Sequence, residues 1–160
     1  MHQQGGMMEI QQTDVTPVIF TSKQLCLRDI GVFAAEQTPL LFAEIARHQL
    51  GINGPCIFVY YQVPQDAQSL FTLDICIPVS HPDAYAGDFA CKTLAPIVCA
   101  VRHYQGPLTD LFNVGYAPLI TEIQQSGRAF SGESREIYHL WESPESNNNQ
   151  IEIQFGLIPN

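Results

Sequence analysis

The sequence contains an internal repeat with a spacing of 78 residues, and this repeat restricts the fold more than any other feature. Without a gap, the shift aligns seven identical residues and one conservative acidic pair. The matches fall at equivalent places in both halves: a helix core, a glycine before a strand, a strand tyrosine and a last strand. A duplicated supersecondary unit produces such agreement. The pairs are Ile19 and Ile97, Leu41 and Leu119, Glu44 and Glu122, Ile45 and Ile123, Gly54 and Gly132, Tyr60 and Tyr138, Ile75 and Ile153, and the acidic Asp74 and Glu152.

Each half is predicted to run in the order strand, helix, strand, strand. In the first half, alternating apolar and polar residues predict strands over 15–27, 57–62 and 70–79. Thr38 and Pro39 predict the start of the intervening helix, and Gly51 its end. In the second half, the strands are predicted over 94–103, 135–141 and 151–157. The second helix is predicted over about 108–126, with Leu111, Phe112, Leu119 and Ile123 at helical spacing and a break or kink at Pro118.

The predicted fold class is therefore α+β. We expect duplicated βαββ units with pseudo-twofold symmetry, forming a curved antiparallel, barrel-like sheet with one helix per half and a central ligand pocket. Residues 1–11 are expected to form a disordered or tag-like N-terminus. Residues 12–160 are expected to form a single domain, with halves at about 12–80 and 90–158.

The charge balance limits the class of partner. The chain has 7 Lys and Arg residues against 16 Asp and Glu residues, so its net charge is −9. This charge disfavours direct binding to nucleic acid and favours cationic partners. There is no apolar run of membrane-spanning length and no signal sequence. We therefore expect a cytoplasmic protein without membrane contact, and, because no amphipathic stretch is left over, a monomer.

The sequence lacks the common motifs of metal binding and covalent catalysis. Its five cysteines lie in apolar sequence without a CxxC pair, which is typical of reduced, buried thiols. Its five histidines show no metal-ligand spacing, and GxSxG, GxGxxG and phosphate-loop motifs are absent. We expect no metal, no other cofactor, no catalytic residue and no enzymatic activity.

Glu136 is the charged residue that most suggests a binding site. In the segment 135–141, Glu136, Tyr138 and Leu140 share one strand face, whereas Arg135, Ile137, His139 and Trp141 share the other. A carboxylate among apolar and aromatic neighbours is costly to desolvate unless a cation, hydrogen-bond donors or a raised pKa compensates it. Glu136 is thus either the charged floor of an apolar pocket or an edge-strand residue that faces water or pairs with Arg135 or Arg128.

Aromatic residues are the candidate walls of such a pocket, because their rings bind planar or cationic ligands. Tyr60 shares a strand face with Phe58, and Tyr104 comes just before the Gly106–Pro107 turn near the mouth of the expected cleft. Such rings also fill cores, and for any one of them the residue pattern alone favours core filling. The predicted ligand-binding residues are Glu136, Tyr138, Tyr60, Phe58, Tyr104, Trp141 and Leu140.

Taken in order, four motifs resemble a known family. They are Gly54-Pro55-x-x-Phe58-x-Tyr60, Ile75-x-Ile77-Pro78-Val79, His103-x-x-Gly106-Pro107, and Glu136-Ile137-Tyr138 ahead of Ile151-x-Ile153. The chain resembles, over about residues 12–158, the bacterial effector-binding domain of gyrase-inhibitory-like proteins and of AraC-type and MerR-type multidrug regulators. The resemblance implies one hydrophobic pocket in which a buried glutamate at the Glu136 position neutralises lipophilic organic cations.

The resemblance leaves the role of the ligand open. Such regulators usually carry a helix-turn-helix module, for which this chain has no room, so we expect a stand-alone multidrug-binding module. One alternative is a ligand-modulated partner of a separate protein, either DNA gyrase or a transcription regulator. Another is a hydrolase of strained electrophilic drugs, in which Glu136 would activate water and Tyr138 would stabilise or protonate the leaving group.

Overall fold

A computed structural model describes residues 8–160, which divide into two compact units. The amino-terminal unit is Asp14–Pro96, and the carboxyl-terminal unit consists of Ile97–Asn160 together with residues 8–13. Each unit contains one α-helix and a four-stranded antiparallel sheet, so the predicted α+β fold with duplicated units is confirmed. Within the described residues, neither helix combines the length and apolarity needed to cross a membrane.

The strand order of one unit repeats in the other. The amino-terminal unit contains β2 (Thr16–Leu25), β3 (Cys56–Tyr61), β4 (Phe71–Pro78) and β5 (Ala90–Leu94), in the spatial order β5-β2-β4-β3. The carboxyl-terminal unit contains β1 (Glu9–Gln12), β6 (Val98–Gln105), β7 (Phe130–Leu140) and β8 (Gln150–Leu157), in the order β1-β6-β8-β7. Thus β2, β4 and β3 correspond to β6, β8 and β7, and each unit carries one further strand.

These further strands, β1 and β5, were not predicted. The predicted loose N-terminus is consequently shorter than residues 1–11, because Glu9–Gln12 pair with β6; residues 1–7 lie outside the described part of the chain. Both strands are short, and β1 is exposed at all four positions. β1 has no buried residue and β5 buries only Leu94, so no alternation marks them in the sequence, and pairing with a neighbouring strand defines them.

Helix α1 spans Ile30–Arg47, and Pro39 lies inside it instead of at its start. The prediction of a helix beginning at Thr38 was therefore wrong. Proline removes one hydrogen bond to the carbonyl four residues earlier, here that of Ala35. Ala35 and Pro39 are both exposed, so water can solvate that carbonyl. The buried face continues past the proline and includes Phe33, Leu41, Glu44 and Ile45.

The second helical stretch is not one helix. A π-helical segment, Leu111–Tyr116, precedes helix α2, Ala117–Ser126, whose first turn contains Pro118. Gly127, at φ 77°, ends α2 in the left-handed conformation that favours glycine. Leu119 and Ile123 are buried as predicted, but Phe112 is 61% exposed, contrary to its predicted place on the buried helix face. The π-helical turn changes the register between Phe112 and Leu119.

The repeated glutamates hold equivalent pieces of chain. Glu44 of α1 accepts a hydrogen bond from the Tyr85 hydroxyl at 2.8 Å, just before β5. Glu122 of α2 accepts one from the Met8 backbone N–H at 2.8 Å, just before β1. Each glutamate thus links its helix by a hydrogen bond to the segment that precedes β5 or β1 in its own unit. This shared contact explains why both halves of the repeat have a glutamate at this position.

Replacing Glu122 with Ala should loosen β1 locally. Loss of a charge-assisted hydrogen bond costs about 1.5 kcal/mol, which corresponds to roughly tenfold faster opening of the affected segment. Amide hydrogen exchange should therefore accelerate at residues 9–12. Glu44→Ala is the matched control and should instead accelerate exchange near 85–89. Unchanged exchange at residues 9–12 in Glu122→Ala would show that pairing with β6 alone holds β1.

The sheet of the amino-terminal unit carries a partly buried ion pair. Lys92 Nζ lies 2.5 Å from Asp74 Oδ2, and it also lies 4.2 Å from the centre of the Phe20 ring. Burial opposes the charged form of Lys92, but the hydrogen bond and charge of Asp74 outweigh it, so the net effect is a raised Lys92 pKa.

All five cysteines are free thiols. Burial raises the pKa of Cys56 to about 12, so this thiol is far from forming a reactive thiolate.

Candidate functional site

The carboxyl-terminal unit places Glu136 on the sheet face that α2 covers. In the strand register, Glu136 of β7 lies opposite Ile153 of β8, and Tyr138 lies opposite Ile151. Ile151 and Ile153 belong to the core cluster that includes Leu119 and Ile123 of α2. Glu136 is only 4% exposed. The interpretation of Glu136 as a water-facing residue is therefore excluded.

Two tyrosine hydroxyls donate hydrogen bonds to the Glu136 carboxylate. Tyr138, two residues away on β7, donates to Oε1 at 2.6 Å. Tyr116, the last residue of the π-helical segment, donates to Oε2. Charge-assisted bonds of this kind offset part of the cost of burying a carboxylate. Hydroxyl donors are neutral, so these two bonds stabilise the carboxylate without adding a positive charge.

The neighbouring arginines interact elsewhere. Arg135 lies on the opposite side of β7, where its guanidinium forms an ion pair with Glu133 at 2.8 Å. Arg128 reaches the Ile158 carbonyl at 3.5 Å. The geometry therefore does not favour the predicted alternative in which one of these two arginines is the partner of Glu136.

A chain of aromatic contacts surrounds the Glu136–tyrosine cluster. The Tyr116 ring stacks with Phe112 at a centroid distance of 6.4 Å and meets Phe155 edge-on at 6.1 Å. Phe155 in turn contacts Phe130 at 4.4 Å. On the other side, Tyr138 meets Trp141 edge-on at 5.7 Å. We call these six rings the aromatic group; its members are Phe112, Tyr116, Phe130, Tyr138, Trp141 and Phe155.

Part of the aromatic group is open to solvent. Phe112, Phe130 and Trp141 are each more than a third exposed, whereas the carboxylate at the centre is buried. Exposed apolar side chains that lie together are typical of binding surfaces, and the faces of aromatic rings attract cations by about 0.5–2 kcal/mol each. The arrangement is thus a buried negative charge ringed by partly accessible π-faces.

The predicted site residues do not all join this cluster. Tyr138 and Trp141 do, while Leu140 is 40% exposed at the end of β7. Tyr104 instead belongs to the core under α2, and its hydroxyl donates to the Pro107 carbonyl at 2.5 Å. Phe58 and Tyr60 are buried in the amino-terminal unit, where Tyr60 stacks with Phe71. For Tyr104, the core-filling interpretation is therefore the better one.

Trp141 reaches Tyr138 because the strand does not alternate strictly. Tyr138 pairs with Ile151 and Leu140 with Gln150, so His139 is an extra residue, a β-bulge, between two consecutive residues of β8. The predicted assignment of Trp141 to the face away from Tyr138 was wrong for this reason. Tyr116 was not among the predicted site residues, because its position depends on the π-helical turn before Pro118.

A family model describes this chain over residues 7–157 as a GyrI-like small-molecule-binding domain. The chain belongs to the GyrI-like family. The predicted resemblance is thereby confirmed, and with it a coarse function: this is a small-molecule-binding domain. No curated protein matches the sequence.

Solved structures share the GyrI-like fold with this chain. The EcmrR C-terminal domain has a TM-score of 0.79 at 17% identity, with 95% of this chain and 97% of that one covered. In the EcmrR–DNA complex, this chain spans 57% of the EcmrR chain. SAV2435 bound to tetraphenylphosphonium has a TM-score of 0.66 at 16% identity, covering 95% and 94%. A hydrolase from Listeria innocua has a TM-score of 0.58 at 12% identity, covering 94% and 92%.

Proposed function

We propose that this GyrI-like domain binds lipophilic organic cations, with Glu136 as the counter-charge and the aromatic group as the wall of the site. The observation that carries the proposal is the buried Glu136 carboxylate, held by two tyrosine hydroxyls among partly exposed rings. A charge attracts an opposite charge more strongly where water is excluded. The carboxylate therefore selects for charge, and the rings select for apolar, aromatic bulk.

The internal repeat supports a binding role for Glu136. The residue at the equivalent position of the amino-terminal unit is Phe58, which lies opposite Ile75 as Glu136 lies opposite Ile153. The equivalent tyrosines, Tyr60 and Tyr138, are the same in both units. A core position that accepts phenylalanine does not need a carboxylate to fold. The charge at Glu136 thus carries a cost of desolvation that packing alone does not explain.

The named relatives agree with a cationic ligand. SAV2435 was solved with tetraphenylphosphonium, a lipophilic cation, and the net charge of −9 in this chain favours the approach of cations. A site that makes few directional contacts with its ligand would accept ligands of several shapes. We further propose that the domain acts by holding its ligand, either as a cytoplasmic sensing module or by sequestration.

Hydrolysis is the second candidate function. Two observations favour it: Tyr138 lies within hydrogen-bond distance of Glu136, and a solved structure with this fold is a hydrolase. Glu136 would then activate water, and a tyrosine would assist the leaving group. Both carboxylate oxygens already accept tyrosine hydroxyls, so the geometry favours binding over base catalysis. Turnover of a strained electrophilic substrate would support hydrolysis.

Two tetraphenyl ions of nearly equal bulk and one neutral triphenyl compound would test the binding proposal by isothermal titration calorimetry. Tetraphenylphosphonium should bind with micromolar or lower Kd, because it combines aromatic bulk with a positive charge. The anion tetraphenylborate has the same shape and should bind at least a hundredfold more weakly, since it would meet a buried carboxylate. Triphenylphosphine oxide supplies a neutral control. Equal affinities, or no binding of the cation, would overturn the proposal.

A further inference from the structure

The carboxyl-terminal sheet contains a separate open pocket. Its volume is about 370 Å³, and it is lined by three residues of β6, one of β7 and two of β8, namely His103, Tyr104, Gln105, His139, Gln150 and Ile151. The two imidazole ring centres are 6.5 Å apart. Neither Glu136 nor any member of the aromatic group lines this pocket. The proposed function therefore leaves its two histidines without a role.

A hydrogen bond orients His139 in this arrangement. His139 follows Tyr138 at the β-bulge of β7, on the face of the strand that also carries Ile137, whose partner on β8 is Glu152. Its Nε2 lies 2.8 Å from Glu152 Oε1. Glu152 is oriented in turn by Gln154, whose side-chain N–H donates to the other carboxylate oxygen at 2.8 Å. His139 is thus the outer member of an ordered chain of hydrogen bonds.

This chain of hydrogen bonds has the chemistry of a metal-ligand support. When Nε2–H of a histidine donates to a carboxylate, the lone pair stays on Nδ1, and the carboxylate makes that nitrogen a stronger ligand. Two imidazoles that share one tetrahedral zinc have their ring centres roughly 5–6 Å apart. His103 and His139 are both exposed, so small side-chain rotations would bring their rings from 6.5 Å to that distance.

We propose that His103 and His139 bind one divalent late transition-metal ion in this pocket, with Glu152 as the positioning residue. Imidazole ligands favour zinc, copper and nickel over magnesium or calcium. An anionic ligand is disfavoured by the neighbouring carboxylate and by the net charge of −9. No three His, Cys, Asp or Glu side chains in residues 8–160 are arranged as a complete metal site. Water therefore completes the coordination, and the ion is expected to exchange readily.

Titration of the full chain with zinc chloride, followed by calorimetry and by the imidazole proton signals in NMR, tests this site. One equivalent should bind and shift the signals of His103 and His139. His103→Ala and His139→Ala should each abolish that binding, and Glu152→Gln should weaken it by 10–100-fold, because the supporting carboxylate is lost. His81→Ala, which alters an exposed histidine of the other unit, is the matched control and should leave the affinity unchanged.

Two results would overturn the metal site. The first is zinc binding that survives both His103→Ala and His139→Ala, because the ion would then be bound elsewhere. The second is the absence of a shift in both imidazole signals of the wild-type chain, a measurement that does not depend on the folding of any variant. Magnesium chloride in place of zinc chloride should produce no shift, and an equal response to both salts would contradict imidazole coordination.

Discussion

Glu136→Gln should weaken tetraphenylphosphonium binding by about 1.5–3 kcal/mol, or roughly 10–150-fold, while triphenylphosphine oxide binding stays within twofold. The substitution keeps the size of the side chain and one acceptor oxygen, while its NH2 group would donate to the other tyrosine hydroxyl, and it removes the buried negative charge. Only a ligand that uses the charge should respond. Calorimetric titration of both probes against both proteins measures the difference directly.

Three further variants separate the charge from its surroundings. Glu142→Gln changes the net charge by the same amount in an exposed loop of the same unit, so it controls for long-range electrostatics. Tyr138→Phe and Tyr116→Phe keep the rings and remove one donor each, and each should cost the cation less than Glu136→Gln. Equal losses for the cationic and neutral probes in Glu136→Gln would mean that the carboxylate supports the fold, which would contradict its role as a counter-charge.

The repeat was enough to predict the fold class because it constrains several elements together. Alternation within β4 and β8 marks strands that are buried over most of their length, and Leu119 and Ile123 mark the buried face of α2. The repeated glycines have a physical basis as well: Gly54 and Gly132 have φ values of 153° and 99°, where a side chain is strained. Hydrophobic periodicity therefore predicts those helices and strands that have one buried face and one exposed face.

Other features depend on contacts that no local pattern encodes. The chain passes through Pro39 as a helix because the buried positions on both sides of it stay in register, although proline normally indicates a helix start. The alternation in β7 predicted the face of Glu136 and Tyr138 but failed beyond Tyr138, where the bulge inserts one residue. A one-residue shift reverses which face each side chain occupies.

The candidate site likewise combines residues whose proximity the sequence predicts with a residue that only the fold brings close. Glu136 and Tyr138 lie two residues apart on one strand, so strand geometry alone predicts their proximity. Tyr116 lies 20 residues away from Glu136 in the sequence, on a π-helical segment that an α-helical pattern places incorrectly. Gly115 lets this segment pack closely, since a Cβ at that residue would lie 2.9 Å from Ile153 Cδ1. Only the packed structure brings the second tyrosine to the carboxylate.

Gly156→Ala should destabilise the protein by about 3 kcal/mol and weaken cation binding with it. A Cβ at Gly156 of β8 would lie 2.2 Å from the Glu133 carbonyl oxygen, a backbone atom that cannot move aside alone. Between Phe130 and Ser134, β7 has three residues where β8 has only Gly156, so the extra chain folds over the space left by the missing side chain. Relief of the clash must displace β7 just before Glu136.

Chemical denaturation of the variant measures the loss of stability, and titration with tetraphenylphosphonium measures the effect on the site. Gly31→Ala is the matched control: apart from its chain neighbours and the backbone of its own helix, nothing lies within 4 Å of a Cβ built at Gly31. Because Gly31 is in the first turn of α1, alanine there should leave stability unchanged or raise it by up to about 1 kcal/mol. Wild-type stability in Gly156→Ala would mean that β7 can move away without cost. In that case, β8 would not fix the position of β7, and the placement of Glu136 would have to rest on its tyrosine partners.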